Sequence, residues 1–285
     1  MPNIGGVQLQ ALDPAHLNRL YGDLLAHGRR DGRGGLSPRT VRYIATIIGA
    51  ALDDAVRWGR VSRNVARLAN PPSTSVARAP AMKTWDRETV ARFLDLARDD
   101  RYRPPWFFLS TTGCRRGEAL GLRWSDVDLD SGRCSIRQQV TVVGHIITTA
   151  PRTKTGKDRQ IELDAATVAM LRTWRAKQAQ ERLMVGEGYR DAGLVFCHPD
   201  GRPYHPDRFS REFDRRIAKY GLPRIRLHDL RHTWATLALE AGIPVEIVAQ
   251  RLGHSVAVCA STYRHVTPAM ASGAAERVAA LIFER

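Results

Sequence analysis

The sequence predicts a mainly α-helical fold interrupted by a small antiparallel β-sheet and divided into two domains. Three observations predict it. Apolar residues recur at helical spacing over the first 60 residues and again through most of the chain after residue 84. Residues 133–163 switch to strand-like alternation. Residues 70–82, NPPSTSVARAPAM, keep neither period. A chain of 285 residues suffices for two modest cores, and a hydrophobic content of 43% argues against disorder.

The first helix runs from about Pro14 to His27, with Leu17, Leu20, Leu24 and Leu25 on one stripe. GRRDGRGG, residues 28–35, then reads as a flexible basic loop. The second helix has Ser37 as N-cap and Pro38 in its first turn, where the missing N–H does no harm. Its stripe is Val41, Ile44, Ile48, Ala51, Leu52 and Ala55, and Gly59 ends it. After the proline-broken linker, Asp86 caps a helix carrying Val90, Phe93, Leu94 and Ala97. CSIRQQVTVV, HIITTA and RQIEL read as three strands, joined at Gly144 and at TKTGKD. Helices return from Ala165 to about Leu183 and from Pro206 to Tyr220, and continue through HDLRHTW, residues 228–234. The expected division is a helical domain over 1–70, a linker over 71–83 and a larger domain over 84–285.

Charge narrows the partners. Lysine and arginine total 44 against 29 acidic residues, a net +15. Residues 1–80 carry eleven arginines and five aspartates, a net +6, which leaves +9 for the rest. Such an imbalance is relieved most simply by a polyanion, and nucleic acid fits better than a membrane surface because no basic tract flanks an apolar helix. The four cysteines stand far apart without a CxxC pair, against a zinc ribbon or a disulfide framework. No run of about 18 apolar residues and no apolar leader are visible, so a cytoplasmic protein is expected.

The chemistry sits in separated motifs. In TTGCRRGEALGLRWSDVD, Arg115 stands beside Gly113 where a turn becomes a helix, a place where a guanidinium and backbone N–H groups together hold phosphate oxygens. HDLRH sets His228 and Arg231 three apart on one helix face. Its histidines at 228 and 232 also have the spacing of a helical zinc site, but Asp229 stands where a zinc-protease helix wants glutamate, and Arg231 sets a cation beside any metal. LGHSV brings His254 out after a glycine-terminated helix, and STYRHV places Tyr263 nine residues later. Lys154 and Lys157 sit in a turn between strands, in a chain with five lysines against 39 arginines. A lysine can give up a proton where an arginine cannot.

Together these motifs, from about Leu36 to Val266, resemble the tyrosine recombinases, also called phage integrases, and occur in that family's order. The resemblance implies a helical DNA-gripping domain followed by a tyrosine-recombinase catalytic domain. It implies a site-specific recombinase that cuts and rejoins DNA through a 3′-phosphotyrosyl link, with Tyr263 as nucleophile. Arg115 and Arg231 clamp the scissile phosphate, His254 donates to a phosphate oxygen and His228 is the acid/base. Lys154 protonates the leaving 5′-oxygen, with Lys157 the competing candidate. Glu118 supports the fold or orients its neighbours, and His232 packs or hydrogen-bonds within the domain. Neither metal nor other cofactor, nor a small-molecule substrate, is implied. The implied partner is double-stranded DNA, held by a homotetramer on two duplexes. The apolar segment AMASGAAERVAALIFER docks on a neighbour or packs on its own domain. The alternatives are a type IB topoisomerase and a DNA-binding relative without recombination activity. The latter stays open because relatives carry a longer N-terminal part than the one that starts here at MPNIGGVQLQALD.

Overall fold

In the computed structural model, which describes residues 3–77, 82–151 and 159–263, the chain forms two compact units, Met1–Ala81 and Met82–Arg285. The first is helical. Helix α1 (Pro14–His27) is opened by Asp13, whose carboxylate accepts from the His16 N–H at 2.8 Å. Helix α2 (Pro38–Arg57) is opened by Ser37, which accepts from the Thr40 N–H at 3.2 Å. Leu17, Leu20, Tyr21, Val41, Leu52 and Val65 close a small core between them. Ala51, expected on the buried stripe, is exposed. Asn64 ties the chain after α2 back onto it, donating to Gly49 O at 2.9 Å and to Asp53 Oδ1 at 2.7 Å.

The second unit begins with α3 (Arg87–Leu96), α4 (Arg103–Thr112) and α5 (Arg116–Gly121). The strands β1 (Val127–Asp128), β2 (Arg133–Ile136), β3 (Gln138–Val143), β4 (Ile146–Pro151) and β5 (Arg159–Glu162) follow. The chain then returns to helix in α6 (Ala165–Val185), α7 (Pro206–Lys219), α8 (Asp229–Glu240), α9 (Val245–Leu252) and α10 (Val256–Thr262). An aromatic core of Trp85, Phe93, Trp106, Phe209 and Phe213 holds α3, α4 and α7 together, with the Phe93 ring 5.3 Å from those of Trp106 and Phe213. A separate cluster of Ala235, Leu239, Val248, Leu252, Cys259 and Tyr263 joins α8, α9 and α10.

The strand region differs in detail from the three strands expected. CSIRQQVTVV is divided at Arg137: β2 pairs with β1 and β5, whereas β3 pairs with β4. Two small antiparallel sheets therefore replace one. The division follows from α5, whose Gly117 and Gly121 let the β3 backbone lie against the helix. A Cβ on Gly117 would stand 2.7 Å from Val140 O, and one on Gly121 3.0 Å from Val140 N. The β3–β4 hairpin turns at Gly144 and His145, both with positive φ (54° and 71°), as a two-residue turn matched to strand twist demands.

Gly113 ends α4 in the left-handed region (φ 67°), directly before the Arg115 segment. An added Cβ would sit 2.8 Å from the Trp234 ring on α8 and 3.0 Å from Leu252 Cδ2 on α9. Gly113→Ala combines left-handed strain with overpacking, and roughly 2 kcal/mol or more of stability should be lost. Urea unfolding measures it, and a midpoint equal to wild type would show that α8 and α9 yield freely at this point.

Candidate active site

Helix α8 carries the first part of the site. Asp229 is buried, and its carboxylate accepts from the Arg226 backbone N–H and from Arg226 Nη2, both at 2.7 Å. Burial disfavours its charge, but those bonds hold the carboxyl below its usual range. This staple fixes the start of α8, so His228 stands exposed at the N-cap while Arg231, one turn on, points inward at 2% exposure.

Arg231 is the hub. Nη1 donates to Gly113 O at 2.7 Å and Nη2 donates to Leu252 O at 2.5 Å and to His254 Nε2 at 3.0 Å. It thereby joins the end of α4, the start of α8 and the end of α9. An arginine only donates, so His254 Nε2 accepts and the ring proton sits on Nδ1, which is buried without a hydrogen-bond partner among the described residues. Burial and the nearby Arg115 charge bring Arg231 down to about 10, still charged at neutral pH.

Arg115 is the N-cap of α5. Its backbone N–H donates to Glu118 Oε2 at 3.0 Å and its Nη1 to Glu118 Oε1 at 2.9 Å. The same carboxylate accepts from Arg159 Nη2 at 2.8 Å, and Arg159 Nη1 donates to Leu252 O at 2.8 Å. The Leu252 carbonyl thus receives two guanidiniums, and one network runs from Arg115 through Glu118, Arg159 and Leu252 to Arg231 and His254. Arg159 is the member that the sequence reading missed. Its signal was the alternation of RQIEL, which turns Arg159 and Ile161 inward and Gln160 and Glu162 outward.

Tyr263, at the end of α10, is 1% exposed. Its hydroxyl lies 2.9 Å from His232 Nδ1. Burial pushes the phenol up to about 12, with Arg231 pulling the other way. The His228 and His232 rings meet edge-on, 5.1 Å between centroids. Among the described residues, no group of three histidine, cysteine or acidic side chains could hold a metal ion. The structure therefore brings Arg115, His228, Arg231, His254 and Tyr263 into one region. Lys154, Lys157 and the segment AMASGAAERVAALIFER lie outside the described residues.

Among the described residues this network holds three guanidiniums, of Arg115, Arg159 and Arg231, and the carboxylate of Glu118, and the histidines beside it are lowered. Burial, then neighbouring cations, brings His254 down to about 4. The His228 ring, packed edge-on against His232 although the residue as a whole is open to solvent, is lowered likewise to about 4, by desolvation first and then by His232 and Arg231. Below the ordinary imidazole value of about 6.5 the unfolded chain binds protons that the folded chain refuses. Stability should therefore be intact above pH 6.5 and fall as pH drops from there towards 4. His254→Gln should reduce the fall. Thermal unfolding across that window checks it, and a flat profile would show that these rings are not held neutral.

The sequence model of the phage integrase family matches residues 86–270, nearly two thirds of the chain and all of the network above. The chain belongs to the phage integrase family. A tyrosine recombinase XerC-like protein of Caldanaerobacter subterraneus is 24% identical over 288 residues, covering 95% of this chain and 72% of that protein. The ICEBs1 integrase of Bacillus subtilis is 31% identical over 244 residues, covering 82% of this chain and 63% of that protein. In fold, the chain resembles the Tn1549 transposon integrase solved in complex with transposon right end DNA, with a TM-score of 0.78 at 19% identity over 96% of this chain and 88% of that one. The class is that of tyrosine recombinases, enzymes that cut and rejoin DNA, and nothing in these matches favours the topoisomerase alternative.

Proposed function

We propose that this chain recombines duplex DNA at specific sites by attack of Tyr263 on a phosphodiester. The observation that carries this reading is the meeting of Arg115, Arg231, His254 and Tyr263, from four separate elements, in a site where the described residues bring more positive than negative charge. A phosphodiester supplies the missing anion. Fixed guanidiniums are worth most where charge develops in the transition state, on the nonbridging oxygens.

Tyr263 Oη bonds to phosphorus, the bond to the 5′-oxygen breaks, and the 3′-phosphotyrosyl link keeps the energy for religation. Lys154 protonates the leaving oxygen and His228, exposed at the mouth of the site, assists proton transfer. An incoming phosphate takes the Nη2–H that Arg231 now gives to His254, which frees His254 to turn its own N–H to a phosphate oxygen. Because Tyr263 is 1% exposed, attack requires the side chains that cover its hydroxyl to open, with its contact to His232 kept.

The helical first unit, with its net +6, is the natural grip on the duplex, in the division 1–70, 71–83 and 84–285. Four protomers on two duplexes complete the reaction, in the cytoplasm and on the nucleoid. The test is a nicked duplex recovered by selecting random duplexes on the protein. It should give a protein–DNA adduct that survives denaturant and excess EDTA, with the nucleotide on the peptide containing Tyr263. No adduct, or an adduct on another residue, overturns the proposal.

A further inference from the structure

The Tyr263 hydroxyl keeps company with a histidine that the family resemblance leaves outside the chemistry. His232 Nδ1 is 2.9 Å from Tyr263 Oη and the two rings are 5.8 Å apart. Among the described residues the hydroxyl has no hydrogen bond to Arg115, His228, Arg231 or His254. Arginines accept no proton, and the nitrogen that His254 offers is filled by Arg231. Among the described residues, His232 is the one imidazole already placed to receive what Tyr263 must lose.

We infer that His232 is the proton acceptor for Tyr263 during DNA cleavage. The inference rests on the recombinase reading above. The Oη–H bond breaks and its proton passes to Nδ1, while the electron pair left on Oη forms the bond to phosphorus. The phosphorus–O5′ bond breaks, and the 5′-oxygen leaves with the electron pair of that bond and takes a proton from Lys154. Religation returns the His232 proton to Oη.

Two features suit His232 to this step. The phenol, raised by burial, does not ionise unaided at neutral pH, so attack needs an acceptor. The imidazole must in turn be neutral beforehand. Burial lowers its proton affinity, Asp229 offsets part of that, and Arg231 and Arg226 add to it. Among the described residues the charged and titratable groups around it are Arg226 before α8, His228, Asp229 and Arg231 at its start, His254 after α9 and Tyr263 at the end of α10. On one helix, His228 faces solvent and His232, one turn later, faces the nucleophile, so acid/base duties are divided between them.

The experiment compares the full chain with His232→Asn and His232→Leu, in single-turnover adduct formation on the selected nicked duplex between about pH 6 and 9. Asparagine sets an amide oxygen where Nδ1 stands, so it holds the hydroxyl but cannot take its proton. Both variants should be slower by about 10²-fold or more at neutral pH. Their rates should rise about tenfold per pH unit where the wild-type rate levels off, because the tyrosine must then ionise by itself. An H232N protein that cleaves at the wild-type rate overturns the inference, as does a slow variant whose pH profile keeps the wild-type shape. If H232L fails to fold, H232N decides. Wild-type protein that forms no adduct defeats the recombinase reading itself, whereas wild-type adduct with unimpaired H232N defeats the assignment of His232 alone.

Discussion

Tyr263→Phe should abolish the covalent adduct while leaving duplex binding within about twofold of wild type, because the hydroxyl supplies the attacking oxygen and a phenylalanine ring supplies none. The ring itself stays accommodated. It packs in the cluster of Ala235, Leu239, Val248, Leu252 and Cys259, which needs only its carbon surface. What disappears besides the nucleophile is the bond to His232, worth about 1 kcal/mol net. A small loss of stability beside a total loss of adduct separates chemistry from folding. Denaturing gels on the selected nicked duplex read the first, and thermal unfolding reads the second. An adduct persisting in the Phe protein would mean that another residue attacks.

The helices were legible because their ends are written in single residues. Asp13, Ser37 and Asp86 cap α1, α2 and α3, and the prolines at 14 and 38 stand where an N–H is dispensable. Arg115, His228, Arg231, His254 and Tyr263 were picked out by the resemblance of their motifs to the family's, and they lie at element ends or on one turn of helix. Contacts between distant segments were not. Alternation turns Arg159 inward, but nothing local says that it meets Glu118, 41 residues earlier, or that both it and Arg231 close on Leu252 O. The break at Arg137 is of the same kind, since the glycine face of α5 that draws β3 away from β2 is visible only once the helix lies against the strand. The partner of Tyr263 was hidden for that reason too, as His232 lies 31 positions away and nine residues separate His254 from the tyrosine it was read with.

Glu118→Ala should cost about 3–5 kcal/mol, the range for removing one partner of a buried ion pair. Glu118 is 1% exposed, and burial alone would push its carboxyl upward, yet Arg159 and then Arg115 bring it down to about 2. Its folded value lies below the unfolded one, so its contribution is complete above about pH 4.5 and is lost as pH falls through 2. Alanine leaves the buried Arg159 with no carboxylate partner among the described residues, although Arg159 Nη1 keeps its bond to Leu252 O. Removing the cation as well should repair part of the damage, so Glu118→Ala combined with Arg159→Met should be more stable than the sum of the two single losses predicts. Urea unfolding of the four proteins gives the coupling. A loss below about 1 kcal/mol for Glu118→Ala, with no coupling to Arg159, would show that the pair contributes little. In that event Arg115, which holds Glu118 through both its backbone N–H and its guanidinium, would need another anchor to be aimed at a phosphate.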